Sequence, residues 1–157
     1  MTPEELAKHL IDSNRYMVLG TVDPDGRPRV SPVYFAPDGY SSVYWVSSVE
    51  SHHSQNVAER PEVSMVVFDS AAEIGSGQAV YMIARAEVVP DEELESCLDT
   101  VRWTRFPGLR QFDAAELREP ELWRLYRAQI TEHSIHVPGR DPEYGTGTDR
   151  RMTVTLD

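Results

Sequence analysis

A single cysteine, Cys97, stands in a chain of 157 residues. An internal disulfide is excluded, which fits a reducing compartment. On an apolar helical stripe this thiol reads as core packing, and no chemistry is assigned to it. No apolar run approaches the roughly 20 residues of a membrane helix. The first residues lack the basic, apolar and small-residue succession of a signal peptide. The expectation is a cytoplasmic protein without a membrane partner. Basic residues are scarce, 15 against 26 acidic, for a formal charge of −11. Such a balance disfavours nucleic acid, so any anion must be captured locally. The five histidines show no ordered zinc-ligand spacing, and no metal site is expected. His133 and His136, three apart on a predicted strand, face opposite ways. No nucleophile-elbow sequence supports a hydrolase built from Ser54, His53 and Asp69. Gly75-Ser76-Gly77 and Gly145-Thr146-Gly147 lack a strand-to-helix context and read as turns. With no repeat or linker, residues 1–157 form one domain.

What is present is a succession of short strands. Thr2, Pro3 and Glu5 open a capped helix that ends near Ser13. Arg15 to Val22 is strand-like and runs through the turn Asp23-Pro24-Asp25-Gly26 into Pro28 to Phe35. Pro32 removes a ladder donor and places that second strand at an edge or break. A turn at Pro37-Asp38-Gly39 precedes a third strand, Ser42 to Ser47. Glu62 to Phe68 reads as a fourth, central and buried on both faces. Gln78 to Val89 is a long fifth, followed by an amphipathic helix over Pro90 to Val101 with an acidic first turn. Phe106 to Leu125 reads as broken helix or loop, with Asp113 a candidate N-cap. Tyr126 to Val137 is the sixth strand, and Arg151 to Leu156 a short terminal one. The tally predicts a mainly β (α+β) chain, a six-stranded antiparallel split β-barrel with peripheral helices.

The stretch Trp45 to Asp69 joins a strand end, a polar helix start and another strand. Ser51 is the expected N-cap, with His52, His53 and Ser54 in the first turn and Pro61 as the stop. Unpaired N–H groups and the positive end of the helix dipole suit a phosphate there, the alternative being an ordinary capped surface helix. Hydroxyls and imidazoles supply further donors without a net basic surface. Trp45, Trp103 and Trp123 either stack on a flat ring or fill the core and a dimer interface, and only Trp45 has a position favouring the ring.

The opening strand into DPDGRPRVSPVYF, then WVSSVESHHSQN, RPEVSMVVFD and GQAVYMIARAEVV, in this order and spacing, resemble the split β-barrel family of flavin-binding proteins similar to pyridoxamine 5′-phosphate oxidase. The resemblance implies FMN as cofactor, a small-molecule redox substrate and a homodimer with cofactor sites between the barrels. It implies that Arg29, Val30, Ser31 and Pro32 run beside the flavin, and that Trp45, Val46, Ser47 and Ser48 continue that wall. The phosphate would lie over Ser51, His52, His53 and Ser54, with Asn56 facing it from the helix and Gln78 reaching the ring or ribityl chain. Arg29 is the best permanent cation on this implied wall, the alternative being a solvated strand residue. The vitamin-synthesising oxidases carry an Arg-Lys pair where this chain has His52-His53, so charge assistance here depends on pH. They also end in an arginine and histidine set that RRMTVTLD does not reproduce, so oxidation of vitamin B6 itself is not expected. No catalytic acid or base is assigned. Sister families bind a deazaflavin coenzyme or haem, which leaves a deazaflavin-dependent reductase, or a non-catalytic flavin or haem binder, as alternatives.

Overall fold

The computed structural model describes residues 1–157. Its first helix, α1 (Pro3–Ser13), is held by the expected capping box: the Thr2 hydroxyl accepts from the Glu5 N–H, and the Glu5 carboxylate accepts from the Thr2 N–H. Ala7, Leu10 and Ile11 form its buried stripe, the spacing that lays one helix face on a sheet. Strands β1 (Tyr16–Val22) and β2 (Pro28–Tyr34) pair through seven residues. Their turn closes with the Gly26 N–H on the Asp23 carbonyl at 2.9 Å, and Gly26 takes a φ of 86°, which a side chain would resist.

Next come β3 (Ala36–Asp38), β4 (Ser42–Ser48), α2 (His52–Glu59), β5 (Glu62–Phe68) and β6 (Ala79–Val88). Helix α3 (Asp91–Thr100), a 3₁₀ turn (Ala114–Leu117), β7 (Trp123–Val137) and β8 (Arg150–Val154) complete the chain. All strands join one antiparallel sheet in the order β2-β1-β5-β6-β7-β4-β3, with β8 also on β7. Long β7 makes this possible, because its first half pairs with β4 and its second half with β8 while β6 runs along its other side. The sheet curls into a half-barrel of an α+β split-barrel fold.

The sheet has eight strands, where the sequence predicts six and a short terminal one. The added strand is β3, hidden because Pro37 and Asp38 read as turn formers; Ala36 to Asp38 nevertheless pair with Tyr44 to Ser42. Strand β5 is central as expected, but its burial alternates, with Glu62, Ser64 and Phe68 exposed and Val63, Met65 and Val67 buried. Its apolar run reflects valine packing on one face with one side open, and not burial on both. Pro32 lies on edge strand β2, where no second neighbour asks for its missing N–H.

Two cores result. The larger lies inside the half-barrel and takes Met17, Leu19, Trp45, Met65, Met82 and Ile135 together with the stripe of α1. The smaller lies on the other face of β4, where Tyr44 and Leu125 meet Leu94, Cys97 and Leu98 of α3, Trp103 and Leu117. Alternation along β4 feeds both. Cys97 is free and buried, as the helical spacing predicts.

Candidate functional site

The N-terminus of α2 gathers the polar side chains that the sequence singles out. Ser51 is the N-cap: its hydroxyl accepts from the Ser54 N–H at 3.3 Å and donates within reach of the Ser48 carbonyl at 2.8 Å and Ser54 Oγ at 2.7 Å. His53 Nε2 lies 2.8 Å from Ser47 Oγ and 3.4 Å from Ser51 Oγ. Ser47, Ser51, His53 and Ser54 are therefore one hydrogen-bonded cluster spanning the β4 end and the first turn of α2. His52 stands exposed at its edge, and no acidic residue occupies that turn. The N–H of Gln55 closes on the Ser51 carbonyl, whereas those of His52 and His53 gain no partner within the helix by its geometry. Donors without carboxylates at a positive dipole end fit a phosphate group.

Burial, and secondarily the neighbouring His52, holds the His53 pKa below its ordinary 6.5. His53 is thus neutral at pH 7 and serves as a hydrogen-bonding imidazole. Since unfolding releases it to take up a proton more readily, the stability it contributes is present above about pH 6.5 and is lost as the pH falls below it.

Behind the first turn lies a second polar group. Asp23 Oδ1 and Oδ2 accept from Arg29 Nε at 2.7 Å and Nη2 at 3.0 Å, while Asn56 Nδ2 donates to Asp23 Oδ1 at 2.8 Å and to Thr21 Oγ1 at 3.1 Å. Arg29, then Asn56, draw the Asp23 pKa from 3.8 down to about 2. Arg29 is thereby neutralised in place and does not stand as a free cation, and the buried Asn56 amide is spent on tying α2 to the β1–β2 turn. Replacing Asp23 with asparagine is expected to flatten the acid limb of a stability–pH curve between about pH 4 and pH 2, where its carboxylate otherwise takes up a proton and releases Arg29. Chemical denaturation across that range checks this; an unchanged acid limb would show that the Asp23–Arg29 pair does not contribute to acid stability.

The remaining predicted residues divide between two faces. Arg29 and Ser31 lie on the row of β2 opposite Thr21 and Leu19, and Val30 and Pro32 on the outward row opposite Gly20 and Val18. Val30 is 71% exposed. Val46 and Ser48 share the outer face of β4 in register with Leu125 and Trp123. The Trp45 side chain is fully buried and stacks on Tyr126 at 5.6 Å. Its ring serves the core, which corrects the expectation that it lies against a ligand. Exposed Gln78 precedes β6, at the opposite end of that strand from Val88, which pairs with Tyr126. It lines a cleft with Met1, Thr2 and His136, away from α2.

A cavity of about 720 Å³ that sequence reasoning did not find lies along the other side of α2, between Ser54, Gln55 and Ala58 and the strand residues Arg85, Tyr126 and Gln129. Arg124 also lines it. The available signal was the alternation of Arg124 and Tyr126, lost because strand β7 begins at Trp123 and not at Tyr126.

No helix is long and apolar enough to cross a membrane, and no group of three or more potential metal ligands is found. Among solved structures, the fold is similar to HutZ, the heme storage protein from Vibrio cholerae, at 22% identity, with 94% of this chain and 99% of that one covered and a TM-score of 0.67. It is similar to a heme binding protein from Mycobacterium smegmatis at 17% identity over 98% of this chain and 58% of that one, TM-score 0.70. An F420 reductase matches at 23% identity over 81% and 94%, TM-score 0.60. No curated protein matches. The family model described as pyridoxamine 5′-phosphate oxidase matches residues 3–146, from the first helix through the whole of β7. That span takes in both halves of the sheet and the polar start of α2, and the chain belongs to the pyridoxamine 5′-phosphate oxidase family.

Proposed function

We propose that this protein is an FMN-dependent oxidoreductase whose cofactor phosphate docks on the first turn of α2. The observation that carries the reading is the cluster of Ser47, Ser51, His53 and Ser54 around a first helical turn free of acidic residues, in a chain whose charge is otherwise strongly negative. A phosphate is the ligand group that such donors suit. The flavin ring would run along Val30 and Pro32 of β2 and the outer face of β4 at Val46 and Ser48. A bound flavin supplies hydride or electron transfer, while the protein binds it, orients it and excludes water. No side chain here is assigned as an acid or base.

The working unit we propose is a homodimer. The outer face of β1, β2, β5 and β6 leaves Tyr16, Val30, Phe68 and Ile83 between 41% and 71% exposed, an apolar surface that suits a second copy. Val30 and Pro32 lie on this face, so a flavin beside them would be enclosed by the dimer. Gln78 would serve a flavin only across such an interface.

Alanine at both His52 and His53 is expected to weaken FMN binding about tenfold while leaving riboflavin affinity near wild type, through the loss of imidazole hydrogen bonds to the phosphate. Because burial holds the His53 pKa below its ordinary 6.5, imidazolium charge should add to FMN affinity only as the pH falls below about 6.5. Unchanged FMN affinity in the double variant would place the phosphate elsewhere.

A deazaflavin coenzyme is the second reading, supported by the likeness to an F420 reductase. Its longer acidic tail needs cations, yet Arg29 is paired with Asp23 and Arg60 is turned onto the Val22 carbonyl. A flavin or haem binder without turnover is the third. Cofactor uptake with no oxygen- or nicotinamide-linked activity would favour it.

A further inference from the structure

The stretch between α3 and β7, which reads as broken helix in the sequence, builds a cleft of about 670 Å³ over the outer face of β4. Its floor is aromatic and fixed. Trp103 is buried, meets Tyr34 edge-on at 5.1 Å and Phe112 at 5.2 Å, and its carbonyl accepts from the Tyr34 hydroxyl at 2.6 Å. One wall is Trp123, 53% exposed, and the inner end is Val46. In register, Trp123 faces Ser48 and Leu125 faces Val46. The cleft therefore opens beside the part of β4 assigned above to the flavin. Of the charged residues on its rim, Arg110 is held by Glu116 through two bonds of 2.6 and 3.0 Å, and the Glu121 carboxylate makes no ion pair, the neighbouring Arg124 guanidinium being directed to the Glu121 and Trp123 main-chain carbonyls.

We infer that this cleft is the substrate pocket, and that it takes a planar heteroaromatic molecule of one or two fused rings that is neutral or cationic. The inference rests on the flavin reading for its meaning as a substrate site. The volume lies in the range of about 300–1,000 Å³ typical of small-molecule sites. Trp103, Phe112 and Trp123 offer ring faces and edges. Glu121, within a chain of net charge −11, attracts a cation and repels a carboxylate.

Calorimetric titration with N-methylquinolinium, quinoline and quinoline-2-carboxylate at mildly alkaline pH tests this on the full chain, with and without FMN. The cation and the neutral ring are expected to bind, and the carboxylate about tenfold or more weakly than the cation. Trp123→Ala should reduce cation binding by about tenfold. Ala115→Trp, a change at an exposed rim position that fills the cleft from outside, should abolish binding. Glu121→Gln should narrow the gap between cation and carboxylate while leaving quinoline unaffected. In FMN-loaded protein, cation binding should perturb the flavin absorbance. Equal affinity for cation and carboxylate, or binding indifferent to Ala115→Trp, would overturn the inference. FMN uptake without any ring binding would sink the cleft alone. Ring binding that responds to Ala115→Trp in a protein that takes up no FMN would uphold the cleft as a binding site and sink the flavin reading.

Discussion

Replacing Trp45 with alanine is expected to cost about 3–5 kcal/mol of folding free energy, the range for emptying a large aromatic site in a packed core. The ring is fully buried in the larger core and lies nearly parallel to Tyr126, with 12° between the planes. Neighbours on curled strands cannot collapse into the void without bending the sheet, so most of the cavity penalty remains. Phenylalanine should recover much of the loss, because the indole Nε1 is buried without a hydrogen-bond partner and its removal strands no acceptor. Denaturant titration of both variants checks this. A loss below about 1 kcal/mol for the alanine variant would mean that the ring is not packed as described. The phenylalanine variant should also retain FMN affinity, since the ring faces the core.

The second large effect belongs to Arg105. Its guanidinium donates to the carbonyls of Ile11, Asp12, Asn14 and Phe35, at 2.7 to 3.2 Å, and packs against the Phe35 and Phe106 rings at 4.5 Å. One side chain thus joins the C-terminal end of α1, the β2–β3 junction and the stretch after α3. Positive charge at a helix C-terminus complements its dipole. Burial lowers the Arg105 pKa, but a guanidinium remains protonated at neutral pH. Arg105→Ala is expected to cost about 3 kcal/mol, because partly buried carbonyls lose a charged donor together. Lysine should restore only a minority of this, since a point ammonium cannot span four carbonyls. Unfolding measurements and hydrogen exchange at the end of α1 would show it. Equal stability of the lysine and wild-type proteins would contradict the bridging role.

Neither effect is legible in the sequence in the way that helix caps are. Thr2 with Glu5, Ser51 before His52, and Asp23 through Gly26 act on neighbours a few residues away, so local chemistry exposes them. The strands β5 and β6 follow from their runs of Val, Ile, Met and Tyr. Arg105 joins residues 70 to 94 positions away, and nothing in its vicinity signals that. Asp23 reads as a turn former, yet its carboxylate also organises Arg29 and Asn56. Short β3 is masked by Pro37 because proline tolerates an edge strand as well as a turn. Trp45 sits at the predicted strand end, but the sequence could not say which face of β4 points at the larger core. Alternation fixes that Trp45 and Val46 face opposite ways; only the pairing with β7 assigns Val46 and Ser48 to the outer face. The aromatic cleft escaped for the same reason as Arg105, since Trp103, Phe112 and Trp123 lie in an aperiodic stretch and meet through tertiary contacts alone.

The start of α2 is expected to capture the phosphate of a flavin. Equilibrium titration of the apo-protein with FMN, riboflavin and the deazaflavin coenzyme, followed by ligand fluorescence, tests it most directly. FMN is expected to bind about 100-fold or more tightly than riboflavin, roughly 2.7 kcal/mol assigned to the phosphate, and the deazaflavin coenzyme to bind more weakly than FMN. Equal affinity for FMN and riboflavin, or uptake of the deazaflavin coenzyme alone, would contradict it.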